Sequence, residues 1–103
     1  MSAQNPAMHA RVAADALARL VTDVRTGRAE WQHPQTARQT TDDLARLADN
    51  LATALQQMTA ALDQHPAARR RPQTDPTVQA LLRAGQAGAT AAQHLRQARR
   101  TMH

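Results

Sequence analysis

The 103-residue chain contains no cysteine, lysine, isoleucine, phenylalanine or tyrosine, and it has one tryptophan and one serine. Each absence removes a class of chemistry. Without cysteine there is no disulfide framework, no thiol nucleophile and no thiolate metal ligand. Without lysine there is no phosphate-binding loop of the usual kind. Gly85 and Gly88 lack the Lys-Ser/Thr pair that such a loop carries. The sole serine, Ser2, lies beside the N-terminus, so the common activated nucleophiles are missing. The five histidines (His9, His33, His65, His94 and His103) form neither a His-x-x-x-His nor a His-Glu-x-x-His pattern. The expectation is a protein that is not an enzyme, with no metal, no cofactor and no small-molecule substrate.

Long apolar runs are absent as well. No stretch approaches the roughly 18 apolar residues of a membrane span. Met1 to Ala14 has no apolar core of a secretory leader. The expected location is cytoplasmic, with no membrane partner.

What is present is alanine. Of the 43 apolar residues 24 are Ala, beside ten Leu, four Val, four Met and Trp31. A core built from these suits closely packed helices but buries little area per residue, so an isolated monomer is expected to be marginal. That favours a homo-oligomer or a protein partner. All 13 basic residues are Arg, which together with the alanine reads as a GC-rich coding sequence of bacterial kind.

Three helices are legible. Asn5-Pro6 supplies an N-cap and a first-turn proline. Val12, Ala13, Ala16, Leu17, Leu20, Val21 and Val24 then recur on one helical face until Gly27, predicting a helix over 6–26. Residues 27–34, which include Trp31, form a connection. A second helix is predicted over 35–64, with Leu44, Leu47, Leu51, Leu55, Met58 and Leu62 as its apolar stripe; Thr40-Thr41-Asp42-Asp43 offers an alternative start as a capping box. His65-Pro66 ends it. A second connection covers 66–74, and Asp75-Pro76 opens a third helix over 76–101. This third helix carries Val78, Leu81, Leu82, Gly85, Gly88, Ala92, Leu95 and Met102 on one side. No segment alternates as a strand does. The expected fold is all-α, an antiparallel up-down-up three-helix bundle in a single domain over 1–103, self-associating.

By helix rise the first helix spans roughly 30 Å and the second roughly 45 Å. Met58, Leu62, Val78 and Leu82 are then expected to stay partly bare and to form a dimer or partner surface. Two mid-helix glycines each cost about 1 kcal/mol relative to Ala. Close helix–helix approach, with Leu51 and Leu55 packing into the gap, is the expected compensation; a groove admitting a partner helix is the alternative, which adds Gly85 and Gly88 to the candidate surface. Trp31 either caps the end of the bundle core or anchors an interface.

Charge is uneven. Residues 1–65 hold six Arg and seven acids, whereas 66–103 hold seven Arg and the single acid Asp75. Acid-first pairs four apart, Asp15/Arg19 and Asp42/Arg46, suit the first two helices. Arg69, Arg70, Arg71, Arg96, Arg99 and Arg100 are candidate anion or phosphate contacts, and nucleic acid is a second candidate partner. The plainer alternative is that cations at a helix C-terminus complement its dipole. With Trp31 the only aromatic, such binding would be backbone-directed and sequence-tolerant.

Residues 6–64 resemble, in length and in a Trp between two helices, the small secreted helical-hairpin proteins whose turn is a Trp-x-Gly motif. Here the tripeptide is Trp31-Gln32-His33, without the glycine, and a full third helix follows. Membership is not assigned. The favoured reading is a non-catalytic helical interaction module that self-associates or binds a protein partner, with accessory nucleic-acid binding as the alternative.

Overall fold

The structure, a computed structural model, describes residues 5–29, 31–63 and 76–102. Three helices account for nearly all of them: α1 (Pro6–Arg25), α2 (Pro34–Asp63) and α3 (Pro76–Thr101), with no strand among the described residues. The all-α class is as the periodicity predicts, and each boundary falls within one residue of its expected place. The chain divides into two units, Met1–His33 and Pro34–His103.

The first unit is α1 and its ends. Asn5 has extended backbone, and its side chain accepts a hydrogen bond from the Ala7 N–H at 3.0 Å. Pro6 follows in the first turn, where its missing N–H is no loss. At the other end the Arg28 N–H donates to the Asp23 carbonyl (2.8 Å) and the Gly27 N–H to the Val24 carbonyl (3.3 Å). This is the paired closure that needs a left-handed residue, and Gly27 supplies it with φ 75°. The sequence between these caps is amphipathic, yet no residue of α1 is buried. Met8, Val12, Leu17, Val21 and Val24 are all exposed.

The second unit is a hairpin of α2 against α3. On α2 the buried positions are Thr41, Ala45, Ala48, Ala52 and Thr59, with half-buried Leu55 between the last two. On α3 they are Val78, Gly85, Gly88 and Ala92, with half-buried Leu81, Leu95, Arg99 and Met102 in the gaps. Both sets alternate steps of three and four residues, the repeat of a coiled-coil seam. The pairing is antiparallel: Gly85 lies beside Leu55, Gly88 beside Ala52 and Ala48, and Thr41 beside Met102.

This seam corrects the expected stripe on α2. Periodicity puts the leucines inward, but the inward residues are mostly Ala and Thr. Leu47, Leu51, Met58 and Leu62 are exposed. The reason is on α3. Glycine at 88 lets the α3 backbone descend onto α2, and the short Ala48 and Ala52 stand opposite it. An ideal Cβ at Gly88 would sit 3.4 Å from the Ala48 carbonyl oxygen and 3.6 Å from the Ala52 N. Close approach is tightest at Gly88, where a Cβ would just touch the opposite backbone; at Gly85 there is room for an alanine, and Leu55 packs beside it as expected. Leu51 does not; Ala48 and Ala52 fill its expected place. Two threonines tolerate burial because their hydroxyls donate back one turn, Thr41 to Ala37 O (2.9 Å) and Thr59 to Leu55 O (2.8 Å). Among the described residues no buried side-chain polar atom lacks a partner.

Because α2 begins at Pro34, Thr40-Thr41-Asp42-Asp43 lies inside the helix and is no capping box. Val78 is likewise no bare residue: it is 3% exposed at the end of the seam.

The two glycines should respond differently to substitution. A Cβ at Gly85 meets nothing closer than 3.7 Å. Gly85→Ala should therefore add close to the helix-propensity difference, about 1 kcal/mol. Gly88→Leu forces the same backbones apart and should cost about 1–3 kcal/mol. Urea unfolding of both variants checks this, and a stabilised Gly88→Leu would contradict the tight seam. For α1, Asn5→Ala should remove about 1 kcal/mol of helix stability. The check is faster amide exchange confined to the first turns.

Candidate functional site

The seam positions fix which residues lie on each side of the hairpin. In heptad terms Ala45, Ala52, Val78, Gly85 and Ala92 are a positions. Ala48, Leu55, Leu81, Gly88 and Leu95 are d positions. The e positions of the two antiparallel helices then share one flank, and the c and g positions share the other.

The e flank is polar. Asp42 and Asp49 come from α2 and Arg96 from α3, and Arg99, at the a position that ends the seam, reaches across to this flank. Arg96 forms an ion pair with Asp49, and the Arg99 Nε donates to Asp42 Oδ2 at 3.1 Å. Gln35, Arg38, Gln39, Asp42 and Arg99 line a shallow, open depression here. The pairing expected within α2 is replaced: Arg46 meets Asp43 at 3.0 Å, one turn away, while Asp42 reaches across to α3. The basic charge of α3 is thus partly matched by the acids of α2.

The c/g flank is apolar. Its α2 row is Leu44, Leu47, Leu51, Ala54, Met58 and Ala61; its α3 row is Ala80, Ala84, Ala87, Ala91 and Ala98, with His94 among them. No Arg, Asp or Glu interrupts either row between Ala37 and Ala61 or between Ala80 and Ala98 at these positions. Leu47 is 37% exposed, Leu51 48% and Met58 50%, and the α3 row is alanine throughout apart from His94. Leucines beside a row of alanines make a shallow trough along the hairpin. Fully burying a large side chain is worth about 1.5–3 kcal/mol, and these residues, about half exposed, leave part of that unrealised.

The residues singled out from the sequence separate accordingly. Gly85, Gly88 and Val78 are inside the α2–α3 seam. Met58 belongs to the c/g flank, Leu62 to the exposed end of the seam and Leu82 to the e flank. Trp31, in the first unit, is 43% exposed. Of the candidate phosphate contacts, Arg96 and Arg99 are engaged with acids, Arg100 is exposed, and Arg69, Arg70 and Arg71 lie outside the described residues. What sequence reasoning missed is the α3 row of Ala80, Ala84, Ala87, Ala91 and Ala98. Its spacing of three and four is visible, but alanine gives a weak periodic signal in a chain so rich in it.

Among the described residues no group of three His, Asp or Glu is placed to hold a metal ion. No helix there is long and apolar enough to cross a membrane. The chain matches no family model, no curated protein and no solved structure.

The ion pairs are half exposed, and such pairs are worth only about 0.2–1 kcal/mol each. Asp49→Asn should therefore lower hairpin stability by less than about 1 kcal/mol, and the difference should shrink in high salt. Thermal unfolding at low and high ionic strength checks both. A loss that persists undiminished in high salt would mean that Asp49 acts through packing instead.

Proposed function

We propose that this chain is a non-catalytic helical interaction module that works through the c/g flank of its α2–α3 hairpin. One observation carries the reading: an uncharged, exposed row of leucines and methionine on α2 runs beside a row of alanines on α3. Contiguous exposed apolar surface of this kind marks interaction sites in soluble proteins. The seam supports it from the other side, because a core of Ala, Gly and Val buries too little to make the hairpin robust alone. The ligand is then another helix, taken up as a third or fourth member of the bundle.

The test is a charge placed in the trough. Leu51→Glu should abolish association of the full chain with itself or with a protein partner, measured by light scattering and by capture on the immobilised chain. Far-UV circular dichroism of the variant should stay helical, because Leu51 lies outside the seam. Association untouched by Leu51→Glu would sink the reading.

Accessory nucleic-acid binding is the competing class. It predicts duplex affinity that falls steeply between roughly 50 and 200 mM salt. Substituting Arg69, Arg70 and Arg71 by Gln should then weaken duplex binding and leave helix association alone.

A further inference from the structure

Resting on the interaction-module reading, we propose that the occupant of the trough is a second copy of this chain. The two copies pack hairpin on hairpin about a two-fold axis parallel to the helices. The leucine row of α2 in each copy then seats on the alanine row of α3 in the other.

Charge argues for a second copy on this flank. Each chain carries a formal net charge of +5. Arg46 and Arg96 border the e flank, and Arg83 projects from the exposed side of α3. A duplicate meeting on the e flank would have to strip water from the Arg46–Asp43 and Arg96–Asp49 ion pairs. The c/g rows carry no Arg, and His94 is their one ionisable residue. Two like-charged copies meet there with least repulsion.

Shape argues for it too. One row is large and its neighbour small, which makes the flank complementary to itself. A two-fold axis parallel to the helices exchanges left and right, so the large row of one copy faces the small row of the other. The axis at right angles would stack leucine on leucine and alanine on alanine, leaving a gap along the alanine rows. The parallel axis also makes every neighbouring helix pair antiparallel, giving a four-helix bundle.

The register follows without a free parameter. Rotation about an axis parallel to the helices leaves each residue at its own height. The heights are set by Gly88 beside Ala52 and Gly85 beside Leu55. Leu51 therefore enters between Ala87 and Ala91 of the second copy, and Met58 between Ala80 and Ala84. The paired rows are about 27 Å long by helix rise and about 20 Å across two packed helices, or about 540 Å² per copy. Two such faces bury about 1,100 Å² in all, just above the roughly 1,000 Å² that a specific interface needs.

The chain has no cysteine, so a single introduced thiol reports cleanly. Full-length Leu51→Cys carrying an affinity tag is mixed with untagged Ala91→Cys and oxidised mildly. The expected product is the mixed disulfide, in clear excess over either homodisulfide. A disulfide joining two Leu51→Cys copies in excess would assign the other two-fold arrangement and overturn the proposal. Independently, Leu51→Glu and Ala87→Glu, which charge opposite rows, should each convert a dimer to a helical monomer. A chain that is monomeric at high micromolar concentration overturns the proposal. It leaves the module reading to be judged by partner capture on the same two variants. A dimer indifferent to both substitutions overturns the flank as its interface.

Discussion

Everything in the hairpin depends on how near the α3 backbone comes to the α2 backbone. At Gly88 the space for a Cβ ends 3.4 Å from a carbonyl oxygen of the opposite helix. That approach places the short Ala48 and Ala52 opposite Gly88, with Leu55 beside Gly85, and so sets which face of α2 turns inward. Thr41, Ala45, Ala48, Ala52 and Thr59 are the residues short enough to line it. The leucines one step around the helix are left for something else. A seam of this kind gains dispersion contacts through backbone proximity instead of side-chain volume, which is why glycine in mid-helix is tolerated despite its intrinsic cost.

The two flanks of the seam then differ in kind. On one side Asp42 and Asp49 meet Arg99 and Arg96, fixing the register of the two helices with charge. On the other side charge is excluded over the length of the hairpin, and leucine stands beside alanine. The ion pairs help select the antiparallel pairing but, half exposed, contribute little net stability. Further hydrophobic free energy is available in the exposed trough. A chain organised this way reaches a secure fold by adding a helix, and that is the physical basis for reading it as an interaction module. In α1 the same economy shows locally. Both ends are capped, by Asn5 and Gly27, and the apolar face between them is exposed.

Much of this is legible in the residues themselves. Asn5-Pro6, Gly27, Pro34 and Pro76 mark helix ends through backbone chemistry that depends on neighbours in sequence alone, so the boundaries are readable there. Gly88 signals close approach through its mid-helix cost, whereas Gly85 stands where an alanine would fit. The inward face of α2 is not legible in the same way. Hydrophobic periodicity ranks leucine above alanine and so points to the row 44, 47, 51, 58. Whether that row or the alanine row turns inward depends on what stands opposite, which is a property of α3 and not of α2. The capping-box reading of Thr40 to Asp43 fails for a related reason. The same residues serve equally well in mid-helix once threonine hydroxyls bond back to Thr36 and Ala37 and Asp42 finds Arg99. Of the candidate surface, exposed Met58 is readable from its size and spacing, while the alanine row beside it is hidden by composition.

The central claim is that α2 presents its small residues to α3 and keeps its leucines outside. The most direct measurement is the set of proton–proton contacts seen by isotope-edited NMR in the full chain. The account predicts strong contacts from the Ala52 methyl group to the Gly88 α-protons, and none from the Leu51 methyls to either glycine. Leu51 methyl contacts to Gly85 or Gly88 would mean that the leucine face turns inward, and the exposed trough would not exist.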